Sequence, residues 1–161
     1  MNVLRRIRVE GPLSALTFNR RITKASYQKK CALFIDADNM GKYFSIKDCS
    51  LRNHVERRLS PYRIVLQKAF GNYHNINKVK KTFSGTFTRS IDADSSLIKS
   101  AKQEAKEDDT EVFAIVSSDS DFVPLVEFLH KRGKKVLVFA SHPSSKLRAA
   151  KGKGNCDIFK C

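Results

Sequence analysis

Near-continuous apolar runs of strand length constrain this sequence more than any other feature. Residues 31–35 read Cys-Ala-Leu-Phe-Ile, residues 111–117 read EVFAIVS and residues 135–140 read KVLVFA. A strand with one solvated face alternates apolar and polar side chains. A strand that is apolar at every position has both faces covered, as in a parallel sheet between two layers of helices. Residues 62–70, YRIVLQKAF, form a further strand, closed by Gly71 and Asn72.

The segments between these runs read as helices. Residues 42–60 carry apolar points at Phe44, Leu51, Val55 and Leu59 and charged residues at Lys47, Arg52, Glu56 and Arg57, and Pro61 stops them. Residues 74–83 form a short basic helix, and residues 84–91 fit no single pattern. Residues 94–107 place Leu97, Ile98, Ala101 and Ala105 on one face and Lys99, Lys102 and Lys106 toward the other. A helix over 121–132 ends at Gly133. A short helix over 144–150 and an edge strand in Cys-Asp-Ile-Phe complete the chain. Strands alternating with helices predict an α/β sandwich with a mostly parallel sheet. The 161 residues suffice for one such domain, over 31–161, behind a separate extension over 1–30.

Charge narrows the partners. Lysine and arginine number 31 against 16 acidic residues, a net charge of +15. The natural partner is a polyanion, whether RNA, DNA or an anionic surface, and a basic component held within a ribonucleoprotein has the same composition. Residues 1–30 contribute eight basic side chains and one acid, Glu10, with Ser14, Thr17, Thr23 and Ser26 among them. Arg-rich, hydroxyl-containing and acid-poor is the composition of a mitochondrial-type presequence. A nucleic-acid-binding arm and a plain tail are the competing readings, and without a presequence the expected location is cytoplasmic. No apolar run reaches the roughly 18 residues of a membrane-spanning helix, so no membrane role is expected. The cysteines at 31, 49, 156 and 161 form no CxxC pair, so they read as reduced thiols rather than a zinc or redox site. His54, His74, His130 and His142 lack metal-ligand spacing and read as surface or core residues.

In parallel α/β folds ligands bind beyond the carboxyl ends of the strands. The first strand runs into Asp36-Ala37-Asp38-Asn39, and the third into Ser117-Ser118-Asp119-Ser120-Asp121. Asp94 opens the helix over 94–107. Each aspartate has a simpler reading as a helix cap. Together, Asp36, Asp38, Asp94, Asp119 and Asp121 converge on one end of the sheet. Clustered carboxylates repel one another unless a cation neutralises them, and all-oxygen ligation suits Mg²⁺ or Mn²⁺. An acidic pocket in a basic chain is the layout of a metal-dependent phosphodiesterase. A DxD motif after a strand also suggests a phosphoaspartate phosphatase. That motif asks for Thr or Val four residues on, where Met40 stands.

The strings ALFIDADN at 32–39 and VSSDSDFVPLVEFLHKRGKKVLVFA at 116–140 resemble the first and last blocks of the NYN domain, a PIN-like nuclease family. Ala93-Asp94-Ser95-Ser96-Leu97-Ile98 resembles the start of its middle helix, and Ala69-Phe70-Gly71-Asn72 the end of its second strand. The resemblance covers about 31–140. It implies a PIN-like three-layer fold that binds Mg²⁺ or Mn²⁺ and cuts RNA. Its acidic site residues carry over onto Asp36, Asp94, Asp119 and Asp121, supported by Asn39, with Asp38 of lower rank, and Ser118 and Ser120 orient ligands through their hydroxyls. Two positions depart from the family: Ser100 replaces a frequent helix aspartate, and Asn72 replaces the aspartate after the glycine. The expected function is a metal-dependent endoribonuclease acting on single-stranded RNA, with Lys42, Arg89 and Lys99 on the phosphates. The alternative is an RNA-binding component of a ribonucleoprotein that does not turn over, with or without a protein partner.

Overall fold

The structure is a computed structural model that describes residues 27–43, 50–107, 109–150 and 156–160, with the backbone alone at Cys156. The presequence-or-arm segment to residue 26, Phe44, Lys47, Cys49, the Lys/Gly run over 151–155 and Cys161 lie outside the described residues.

Among the described residues six strands form one sheet: β1 (Lys30–Asp36), β2 (Arg63–Gly71), β3 (Thr86–Arg89), β4 (Val112–Val116), β5 (Lys135–Ala140) and β6 (Cys156–Lys160). Their order is β3-β2-β1-β4-β5-β6, and every neighbouring pair is parallel. The expectation of a mostly parallel sheet is met by one that is wholly parallel. The helices are α1 (Ala37–Met40), α2 (Ser50–Leu59), α3 (Tyr73–Lys80), α4 (Ala93–Glu107), α5 (Val123–Lys131) and α6 (Ser145–Ala150).

The continuous apolar strands separate two cores, because successive side chains point to opposite faces. Ala32 and Phe34 of β1 pack with Phe113 and Ile115 of β4 under α4, α5 and α6. Cys31, Leu33 and Ile35 pack with Val112, Ala114 and Val116 under α1, α2 and α3. The result is three layers, helices over sheet over helices. Phe34, Phe113, Phe122 and Phe139 are fully buried, and burial of each contributes about 1.5–3 kcal/mol. Burial also pushes the Cys31 thiol up to about 12, which keeps it an unreactive thiol of the core.

Several element boundaries differ from those read in the sequence. The helix expected over 42–60 is described as a 3₁₀ turn at Gly41–Tyr43 and α2 from Ser50. The helix expected over 121–132 begins as a 3₁₀ turn at Ser120–Phe122, and α5 follows with Pro124 in its first turn. The unassigned segment 84–91 contains β3, a four-residue edge strand whose outer side chains are exposed. Gly133, with φ +71°, ends α5 in the left-handed conformation expected of a helix stop. Among the described residues no helix is long and apolar enough to cross a membrane.

Candidate active site

Strand order reverses direction between β1 and β4, the point beyond whose carboxyl ends sheets of this kind bind ligands. Asp36 is the last residue of β1 and only 1% exposed. Its Oδ1 accepts from the Asn39 N–H at 3.0 Å, so it caps α1, and its Oδ2 accepts from the Ser117 hydroxyl at 2.8 Å. Burial pushes its pKa up, against the opposing pull of those two donors, and the nearby Asp38 charge adds to the rise.

Ser117, the first residue beyond β4 and 1% exposed, holds both halves of the site. Besides donating to Asp36, its oxygen accepts from the Asp119 N–H at 3.1 Å. Sequence reasoning passed over it in favour of Ser118 and Ser120. Its signal was its place: the first polar side chain after an apolar strand, in register with the end of β1.

Asp119 caps the 3₁₀ turn, its Oδ1 accepting from the Asp121 N–H at 2.9 Å. The capping role and a place in the cluster therefore coexist, since one oxygen serves the cap. Asp121 is exposed in the same turn. Asp94 lies in the first turn of α4 and is half-buried. It does not cap that helix. Asp92 does, accepting from the Ser95 N–H at 3.0 Å, so the Asp94 carboxylate is not taken up by the cap. Its pKa is pushed up to about 6, first by burial and then by the charges of Asp36, Asp119, Asp92 and Asp121. The charges of Asp36, Asp119 and Asp121 thus all reach Asp94, and Asp92 joins them.

The supporting residues have structural duties. Asn39 accepts from the Ser118 N–H at 3.0 Å and ties α1 to the loop after β4. The Ser118 oxygen lies 2.9 Å from the Ser141 hydroxyl and accepts from the Ser141 N–H at 2.9 Å, linking the loops after β4 and β5. Ser120 opens the 3₁₀ turn. Asp38 is turned toward α3, where its Oδ1 accepts from the Asn72 N–H at 2.9 Å and the Asn75 amide at 3.0 Å. Asn72 caps α3 by accepting from the Asn75 N–H at 3.0 Å, a role Asn fills as well as Asp. Ser100 meets the Lys68 ammonium at 3.1 Å on the side of α4 that faces β2.

Of the basic residues, Lys42 lies over the Tyr43 ring at 5.0 Å and Arg89 over the Tyr73 ring at 4.3 Å. Arg89 is the last residue of β3 and Lys42 lies in the turn that follows α1, while Lys99 is exposed on α4, in its second turn. The histidines have no part in the cluster. His54 packs edge-on to Phe139 and Phe159, and the His142 Nδ1 lies 3.4 Å from the Tyr43 hydroxyl.

Among the described residues no three carboxylates, imidazoles or thiols stand so as to hold an ion on side chains alone. The donors are all oxygen, and the charge repulsion at Asp94 is the kind that a cation relieves. This set fits an ion such as Mg²⁺, which keeps several waters and is bound through one or two carboxylates.

The NYN domain family matches residues 30–153. No curated protein matches the sequence. A crystal structure of a protein of unknown function from Vibrio parahaemolyticus is similar in fold, with a TM-score of 0.63 at 19% identity, over 84% of this chain and 96% of that one.

Proposed function

The chain belongs to the NYN domain family, a branch of the PIN-like nucleases, and from that footing we propose that it is a metal-dependent endoribonuclease acting on single-stranded RNA. The observation that carries the proposal is the crowding of Asp36, Asp94, Asp119 and Asp121 at the sheet's switch point, which adds to burial in raising the pKa of Asp94. Such a cluster on a chain of net charge +15 sets negative ligands for a cation within a surface that attracts a polyanion.

Asp36, Asp94, Asp119 and Asp121 hold Mg²⁺ or Mn²⁺, directly or through water. When bound, such an ion supplies a Lewis acid that polarises a phosphoryl oxygen and acidifies water. Asp36 is locked in place by Asn39 and Ser117, so it loses little freedom on binding. Asp119 offers its second oxygen while the first holds the turn. Lys42 and Lys99 take the phosphates of the bound strand, and Arg89 meets the strand beside them. Water attacks a backbone phosphate in line with the leaving oxygen. A ribonucleoprotein component without turnover is the second reading, and Ser100 in place of the frequent helix aspartate favours it.

Metal binding separates these readings without an activity assay. Mg²⁺ or Mn²⁺ at about 100 times its Kd is expected to raise Tm by roughly 5–10 °C. The rise is expected to vanish in Asp36→Asn, which retains a good N-cap. No shift with either ion in the wild type counts against the metal site.

A further inference from the structure

A concavity lies beside Asp38 at the same edge of the sheet. It is a groove of about 490 Å³ lined by Asp38, Asn72, Tyr73, Arg89, Ser90 and Ile91. Tyr73, the first residue of α3, is 59% exposed, and Ile91 is wholly exposed. The Arg89 guanidinium sits 4.3 Å from the Tyr73 ring centre, a cation on an aromatic face. We propose that this groove seats one unpaired nucleobase of the RNA, stacked on the Tyr73–Arg89 pair, with Ile91 against its edge. The identity of the polymer rests on the ribonuclease reading.

Three observations choose a base as the occupant. Aromatic rings and guanidinium planes are the surfaces on which single-stranded bases stack, whatever their sequence. The Asp38 carboxylate lines the same groove and repels a phosphate, whereas it leaves an uncharged base undisturbed. The walls also belong to the segments that carry the acidic cluster. Asp38 shares α1 with the capping contact of Asp36, and Arg89-Ser90-Ile91 leads straight into Asp92 and Asp94. The Ser90 hydroxyl, donating to the Asp92 carbonyl at 2.7 Å and 2.8 Å from the Ser96 hydroxyl, fixes that link. A base held here places the adjoining backbone toward the carboxylates and restricts the groove to unpaired strands.

The test uses the full chain with Asp119→Asn, so that binding is read without turnover. Binding of a fluorescein-labelled single-stranded oligoribonucleotide is measured, together with quenching of a 2-aminopurine base within it. Tyr73→Ala is expected to weaken binding by roughly 5- to 100-fold and abolish the quenching. Tyr73→Phe is expected to preserve both. Ile91→Ser, at a fully exposed position where folding is not at stake, is expected to weaken binding in the same direction. Unchanged affinity and quenching in Tyr73→Ala overturn the base seat, even if the wild type cleaves RNA. Tyr73-dependent binding by a wild type that cleaves nothing with any metal upholds the seat and overturns the nuclease reading. A wild type that binds no oligoribonucleotide overturns both.

Discussion

At the residue scale the site is a balance between carboxylate repulsion and the donors that restrain it. Asp94 has a pKa of about 6 in the fold against an ordinary 3.8. The folded chain therefore holds this proton more tightly than the unfolded chain. The stability that this group contributes is full below about pH 4 and is lost as pH rises through about 6. Asp94→Asn is expected to leave stability at pH 4 nearly unchanged and to raise it at pH 7 by about 1 kcal/mol, solvent screening of the half-exposed group having reduced the effect. Thermal denaturation in EDTA at the two pH values checks this, and no gain at pH 7 contradicts the crowding. Ser117→Ala removes the donor to Asp36 and the acceptor for the Asp119 N–H in a buried place. It is expected to cost about 1–3 kcal/mol in urea denaturation and to depress cleavage. The aspartates were legible in the sequence because a strand end followed by acid is a local pattern. Ser117 was not, because its importance comes from lying beside Asp36, 81 residues away.

At the element scale the acidic segment of α1 is held against the end of β2 by a close approach that only glycine permits. A Cβ at Gly71 would stand 2.8 Å from the Asp38 Oδ1 and 2.9 Å from the Ala37 Cβ. Gly71→Ala is expected to cost about 1–3 kcal/mol through this overlap and to shrink the metal-dependent rise in Tm, both read by thermal denaturation with and without Mn²⁺. A stability equal to the wild type contradicts the close packing. The long buried elements were legible from pattern alone. β1, β4 and β5 are apolar at nearly every position, and α4 repeats its apolar residues at helical spacing through Ala93, Leu97, Ala101 and Ala105. β3 was not legible, since four residues on an exposed edge carry too little periodicity. Its place is set by pairing with β2 at Lys68 to Gly71, a long-range contact. The start of α5 was misplaced because Asp119 caps a 3₁₀ turn first, and Pro124 marks where the α-helix takes over.

At the scale of the whole molecule, a wholly parallel sheet gathers the ends of all its strands along one edge, and the chain's polar chemistry is collected there. The topology was legible as a class, α/β with strands alternating with helices. The strand order was not, because it depends on which apolar faces meet across the sheet and not on any one segment. Electrostatics acts at this scale too. If Lys42 and Lys99 each neutralise one phosphate, the affinity for single-stranded RNA falls with salt at a log–log slope of about −1.4, roughly a sevenfold loss between about 50 and 200 mM. Replacing the two with alanine is expected to flatten that dependence, and an unchanged slope contradicts their role. The most direct measurement is cleavage of end-labelled single-stranded RNA in Mn²⁺, Mg²⁺ or EDTA by the wild type and by Asp119→Asn. The expected result is internal cleavage by the wild type that requires the metal, and none by the variant, which keeps its fold and its RNA binding. Binding without cleavage in either metal, or cleavage undiminished in Asp119→Asn, would contradict a nuclease centred on these carboxylates.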